Sequence, residues 1–113
     1  MKGDSGMGLF DFIAEKARDY GEDVQKAQME AEHWSVSTIC ARLEVASSFS
    51  KISGYSKALR SKCQEMSDSM LKSTFDDVYN SRKVKSCNAM MSVMEERGLA
   101  YRDDNGKIVR AYR

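Results

Sequence analysis

Apolar residues recur with a strict seven-residue period near the start of the chain. Phe10, Ile13, Ala17, Tyr20, Val24, Ala27, Ala31 and Trp34 are spaced alternately by three and four, and mostly Glu, Lys, Asp, Arg and Gln lie between them. That spacing draws one stripe along an α-helix and demands a partner helix, in the same chain or in a second copy. A helix from about residue 10 to 33 is roughly 36 Å long at the usual rise per residue, more than a small core needs. The expectation is an antiparallel helical pair or a dimerisation arm. Several stripe positions are alanine, which permits close approach, and Gly21 interrupts the segment with a weak helix former.

The rest of the chain continues the helical theme. There is no proline to break a helix, and eight methionines supply adaptable core side chains. Ser35 is placed to cap a second helix, with Ile39, Leu43, Ala46, Phe49 and Ile52 on one side. Ser53-Gly54 reads as the best internal break. A third helix follows from about Tyr55 to Lys72. A short fourth begins near Ser73 or Thr74, where Asp76 and Asp77 complete capping-box patterns. A fifth runs from Val84 to Arg97, with Val84, Cys87, Met90, Met91 and Met94 inward and Gly98 as its stop. Asn105-Gly106 then sits between two short apolar-polar runs, the signature of a two-residue type I′ hairpin. In that register Tyr101 faces Arg110, and Leu99, Tyr101, Ile108 and Tyr112 form the inward face. The expected fold is mainly α: four to five helices with a C-terminal β-hairpin. Its organisation is a leader over 1–8, a helical hairpin or dimerisation region over 9–53, and a helical domain with the hairpin over 54–113.

Chemistry-bearing residues are sparse. His33 is the one histidine, and no nucleophile-base pairing is recognisable around it. Cys40, Cys63 and Cys87 are isolated, which fits neither a disulfide framework nor a zinc cluster. They read as buried, reduced thiols in a cytoplasmic protein. No run approaches a membrane span. The sequence therefore points to a binding protein, not an enzyme, with no cofactor, no metal and no evident small-molecule substrate.

Charge narrows the partner. Residues 1–78 net −3 and residues 79–113 net +4, and a basic end favours an anionic partner. The C-terminal half resembles the winged helix-turn-helix DNA-binding proteins. The resemblance rests on Met94-Glu95-Glu96-Arg97-Gly98-Leu99, then Arg102-Asp103-Asp104 and Gly106-Lys107-Ile108-Val109. It implies a winged-helix-like fold with a recognition helix over 84–97 and a wing over 99–112. Lys85, Ser86, Asn88 and Ser92 would then face DNA, with Arg82 and Lys83 on phosphates before the helix and Arg102, Lys107 and Arg110 on the wing. The expected signature is loss of sequence preference in Lys85→Ala with Asn88→Ala. The turn at Asn80–Lys83 has no glycine, and the basic excess is small for a protein holding DNA alone. A dimer joined by the N-terminal stripe would double the phosphate contacts. The competing expectation is a helical protein–protein interaction module with no nucleic-acid binding, acting through stripe residues such as Ile13 and Val24.

Overall fold

A computed structural model describes residues 9–113, with side chains from Lys16 onward. The 1–8 leader, and the side chains of Phe10 and Ile13, lie outside the described residues. Five helices follow one another, α1 Leu9–Ala31, α2 Val36–Val45, α3 Phe49–Gln64, α4 Asp68–Asn80 and α5 Val84–Glu96, then strands β1 Ala100–Arg102 and β2 Ile108–Arg110. The chain is mainly helical with a C-terminal two-stranded antiparallel hairpin.

Local chemistry sets most boundaries. Ser35, Ser48 and Ser67 each precede a helix in extended conformation and accept the third following backbone N–H, from Thr38, Lys51 and Met70. The sequence anticipates only the first of these caps. The chain breaks at Ala46–Ser48, not at Ser53-Gly54, so the expected boundary between residues 53 and 54 falls inside α3. α4 starts just after its cap Ser67 and runs through Ser73 and Thr74.

Gly54 is a contact residue and not a breaker. A Cβ there would lie 2.5 Å from the Ala27 Cβ and 2.6 Å from the Val24 carbonyl oxygen. The heptad stripe thus finds its partner in α3 of the same chain, not in an antiparallel α2. Tyr20 meets Ser53 and the Phe49 carbonyl, while Val24 and Ala27 meet Gly54. α3 also runs beside α5. Lys85 reaches the Glu44 and Ala46 carbonyls before α3, and Arg97 reaches the Cys63, Gln64 and Met66 carbonyls at its end. α1, α3 and α5 therefore point the same way, with α2 and α4 returning between them.

One core joins all five helices and the hairpin, from Ala27 through Ile39, Leu43, Leu59, Leu71, Phe75, Met90 and Met94 to Ala100. Nothing in it separates residues 9–53 from 54–113. Trp34 closes one edge, its ring edge-on to Tyr55 at 5.1 Å and under the Arg42 guanidinium at 4.7 Å.

The hairpin register differs by one residue from the sequence expectation: Ala100 pairs with Arg110, Tyr101 with Val109 and Arg102 with Ile108. The turn is a three-residue loop. Gly106 N–H donates to the Asp103 carbonyl at 2.9 Å, and only Gly106 has positive φ, at 79°. A type I′ turn needs positive φ at Asn105 as well. Asp103 prevents this, because its Oδ1 accepts both the Asn105 and Lys107 N–H groups at 2.9 Å and fixes an ordinary turn followed by a glycine bulge. The one-residue slip turns β1 over relative to β2. Tyr101, expected inward, is 52% exposed and Ala100 is buried in its place, while Leu99, Ile108 and Tyr112 pack against the core as expected.

Candidate functional site

The helix expected to carry recognition, α5, begins after a tight turn. α4 ends with Lys83 N–H donating to the Val78 carbonyl at 2.9 Å and Arg82 N–H to the Tyr79 carbonyl at 3.1 Å. This is the glycine-type helix stop, but Arg82 occupies its left-handed position at φ 58°. α5 ends the same way with Gly98 at φ 69°, Leu99 N–H donating to the Met94 carbonyl. Holding arginine in this conformation costs about 1–2 kcal/mol relative to glycine.

No side chain of the α4–α5 turn caps the start of α5. The cap comes from α2: Glu44 Oε2 accepts Ser86 N–H at 2.7 Å and Ser86 Oγ–H at 2.8 Å. A carboxylate at a helix N-terminus also meets the positive end of the helix dipole. Lys85 Nζ donates to the Ala46 carbonyl at 2.8 Å and the Glu44 carbonyl at 3.2 Å, closing the C-terminal end of α2. Sequence reasoning thus misplaces two residues. Ser86 is fully buried, and Lys85 is half-buried and committed to α2. Ala89, one turn further along, is buried as well.

What α5 leaves open is Val84, Asn88, Ser92, Glu95 and Glu96, along one side of the helix. On one flank Arg102 of β1 donates to Asn88 Oδ1 at 2.8 Å and to the Gly106 carbonyl at 3.1 Å. On the other, Ser92 shares a polar groove with Lys57, Arg60, Ser61 and Gln64 of α3 and Gln28 of α1. Lys107 is exposed at the hairpin loop, Arg82 is exposed, and Lys83 is half-buried before α5. Arg110 is withdrawn from any wing surface. It donates to Asp76 Oδ1 at 2.8 Å and stacks 4.1 Å from the Tyr79 ring centre.

Asp76 is the anchor of the hairpin. Its Oδ1 also accepts the Tyr112 hydroxyl at 2.8 Å, and Arg113 lies 3.5 Å from Oδ2. Burial alone would raise its carboxyl, but the hydrogen bonds from Tyr112 and Arg110 and the two guanidinium charges hold it below the usual range. Burial, with the Asp76 hydrogen bond and charge, pushes the Tyr112 phenol up to about 12.

The structure therefore brings Asn88, Ser92 and Arg102 together, with Arg82 and Lys107 at the edge, and removes Lys85, Ser86 and Arg110. It adds Lys57 and Arg60, which sequence reasoning missed. A signal for them exists: residues 45–64 hold four cations, Lys51, Lys57, Arg60 and Lys62, and no acid. The acidic α1 hides that run within the net −3 of residues 1–78.

The stripe residues divide too. Val24, Ala27 and Ala31 are buried against α3 and Trp34 is half-buried, whereas Ala17 and Tyr20 are exposed. His33 is exposed just after α1. Cys40, Cys63 and Cys87 are free and buried. Among the described residues no group of His, Cys, Asp and Glu could hold a metal ion, and no helix is long and apolar enough to cross a membrane.

Comparison of the chain with known protein families, curated proteins and solved structures gives no match.

Proposed function

We propose that this protein binds double-stranded DNA, without catalysis, through the open strip of α5. One observation carries the reading: Asn88 and Ser92 stand in solvent between cations from two other elements, Arg102 of the hairpin and Lys57 with Arg60 of α3. Amide and hydroxyl side chains on an exposed helix suit base edges, and flanking guanidinium and ammonium groups suit phosphates. Arg82 supports it, since an arginine stands where glycine would cost less, beside the start of that helix. Helix, turn, helix and hairpin follow in the order a winged helix-turn-helix requires. The buried free thiols suit a reducing compartment such as the cytoplasm. The number of available cations is small, so two copies on one site would be needed for tight binding at physiological salt.

The test is fluorescence anisotropy on a pool of duplexes at several salt concentrations. Lys57→Ala with Arg60→Ala is expected to weaken binding to all duplexes alike and to lower the salt slope by about two. Asn88→Ala is expected to change preference among duplexes. Lys85 is unsuitable as a probe because its removal frees two helix-end carbonyls. A wild-type protein that fails to bind at low salt, or a double variant with unchanged affinity and slope, defeats the reading.

A protein partner is the second reading, favoured by an apolar groove lined by Tyr79, Arg82, Val84, Cys87, Asn88 and Ile108 between α4, α5 and the hairpin. Val84→Asp would abolish such docking while leaving the Lys57 and Arg60 flank intact.

A further inference from the structure

A groove of about 270 Å³ opens at the corner where α2 ends and α3 begins. Its walls carry two cations, Arg42 and Lys51, and no acid. Neither cation has a carboxylate partner among the described residues. The Trp34 ring, 4.7 Å from the Arg42 guanidinium carbon, holds that side chain in place. Ser47 and Ser48, which lead into α3, line the same groove. Ser48 Oγ accepts the Lys51 N–H at 3.2 Å. The Phe49 and Ser50 N–H groups then open the positive end of α3 with no acceptor inside the helix. The floor of the groove is Tyr55. It is only 5% exposed, yet its hydroxyl has no hydrogen-bond partner among the described residues. Long helical side chains lean toward the helix N-terminus, which directs the phenol along α3 at Lys51 and Ser48. The charges of Glu30 and Arg42 both act on that hydroxyl; Glu30 lines the next groove, beyond Lys51, and not this one. Buried hydroxyls are nearly always hydrogen-bonded, because an unpaired one is costly. A buried phenol with nothing to donate to, at the base of a cationic groove, points to an acceptor from outside the chain.

We infer that this groove binds a small phosphate monoester, with Arg42, Lys51 and the Phe49 and Ser50 N–H groups on the phosphate oxygens and the Tyr55 hydroxyl donating to one of them. The groove offers hydrogen-bond donors from two cations, hydroxyls and backbone, which suits a dianion with several acceptor oxygens. A helix N-terminus adds aligned N–H groups and the dipole to the same end. The volume lies at the lower limit of about 300 Å³ for small-molecule sites, so it fits a ligand of few heavy atoms. Val45, 81% exposed at the rim, gives an apolar ester group a surface to lie on. Binding at this corner is independent of what α5 binds.

Two-dimensional amide NMR of the full chain, titrated at fixed ionic strength with phenyl phosphate, inorganic phosphate or benzoate, tests this. Phenyl phosphate is expected to shift the Phe49 and Ser50 amides saturably, with a dissociation constant of about 1 mM or lower. Inorganic phosphate and benzoate are expected to bind more weakly. Tyr55→Phe should raise the phenyl phosphate dissociation constant about tenfold, the loss of one hydrogen bond to a charged group. The Tm of that variant without ligand should match or exceed wild type, because the substitution removes a hydroxyl that nothing pairs. Lys51→Gln should weaken binding by a similar factor of about ten. Amides that do not shift, or that shift without saturating, overturn the inference. So does a Tyr55→Phe variant that binds as tightly as wild type, which would assign the phenol to water. Benzoate that binds as tightly as phenyl phosphate would make the groove a general anion site and defeat the phosphate assignment. A short DNA duplex that displaces phenyl phosphate from these amides would defeat the small-ligand assignment.

Discussion

At the scale of single residues, the two helical glycines have opposite roles. Gly54 is enclosed by Ala27 Cβ, the Val24 carbonyl oxygen and Gln28 N, all within 2.8 Å of a would-be Cβ, whereas Gly21 has nothing within 4 Å. Alanine gains about 1 kcal/mol of helix propensity at either site. At Gly54 overpacking against rigid backbone costs about 1–3 kcal/mol or more. Gly21→Ala is expected to raise Tm and Gly54→Ala to lower it, read by thermal denaturation of both variants. From sequence the two look alike, because what separates them is which face of each helix meets a neighbour. Asn105 teaches the same lesson. Asn-Gly promised a two-residue turn, but the Asp103 carboxylate claims the Asn105 and Lys107 amides and selects the longer loop. Local preference lost to a side chain two positions away, and Tyr101 turned outward as a result.

At the scale of elements, the helices are tied end to end by tertiary caps. Glu44 of α2 satisfies the N-terminus of α5, Lys85 of α5 the C-terminus of α2, and Arg97 the C-terminus of α3 through the Cys63, Gln64 and Met66 carbonyls. Glu44→Ala is expected to cost about 1–3 kcal/mol, because buried Ser86 would keep two donors without an acceptor. Urea denaturation measures it, and Glu44→Gln should recover part of the loss through its amide oxygen. A cost near zero would mean that water replaces the carboxylate. These caps also explain why the site was only partly legible. Asn88, Ser92 and Arg102 follow from period and order along the chain. Lys85 and Ser86 share the same polar character, and only the passage of α2 alongside α5 takes them out of solvent. Lys57 and Arg60 join because α3 runs parallel to α5, which no local pattern dictates.

At the scale of the whole molecule, stability should fall on both sides of neutrality. Asp76 titrates below its unfolded value, so its contribution is present above about pH 4 and is lost as pH drops through the folded value. Burial raises Cys63 to about 12 and Cys87 to about 11, so their contribution is full below about pH 8.5 and fades as the unfolded chain ionises above it. Denaturant titrations across pH should show both limbs, and Asp76→Asn should flatten the acid one.

Residue order alone dictates the helical class, the long N-terminal helix, the stop at Gly98, the burial of the thiols and the presence of a hairpin. Each follows from the spacing of apolar residues or from a backbone conformation that few residues tolerate. The tertiary structure alone decided that α1 lies on α3 and that a single core spans the chain. It also decided which polar residues of α5 remain in water. Those outcomes depend on which surfaces meet, and residues far apart in the chain supply the atoms that settle them.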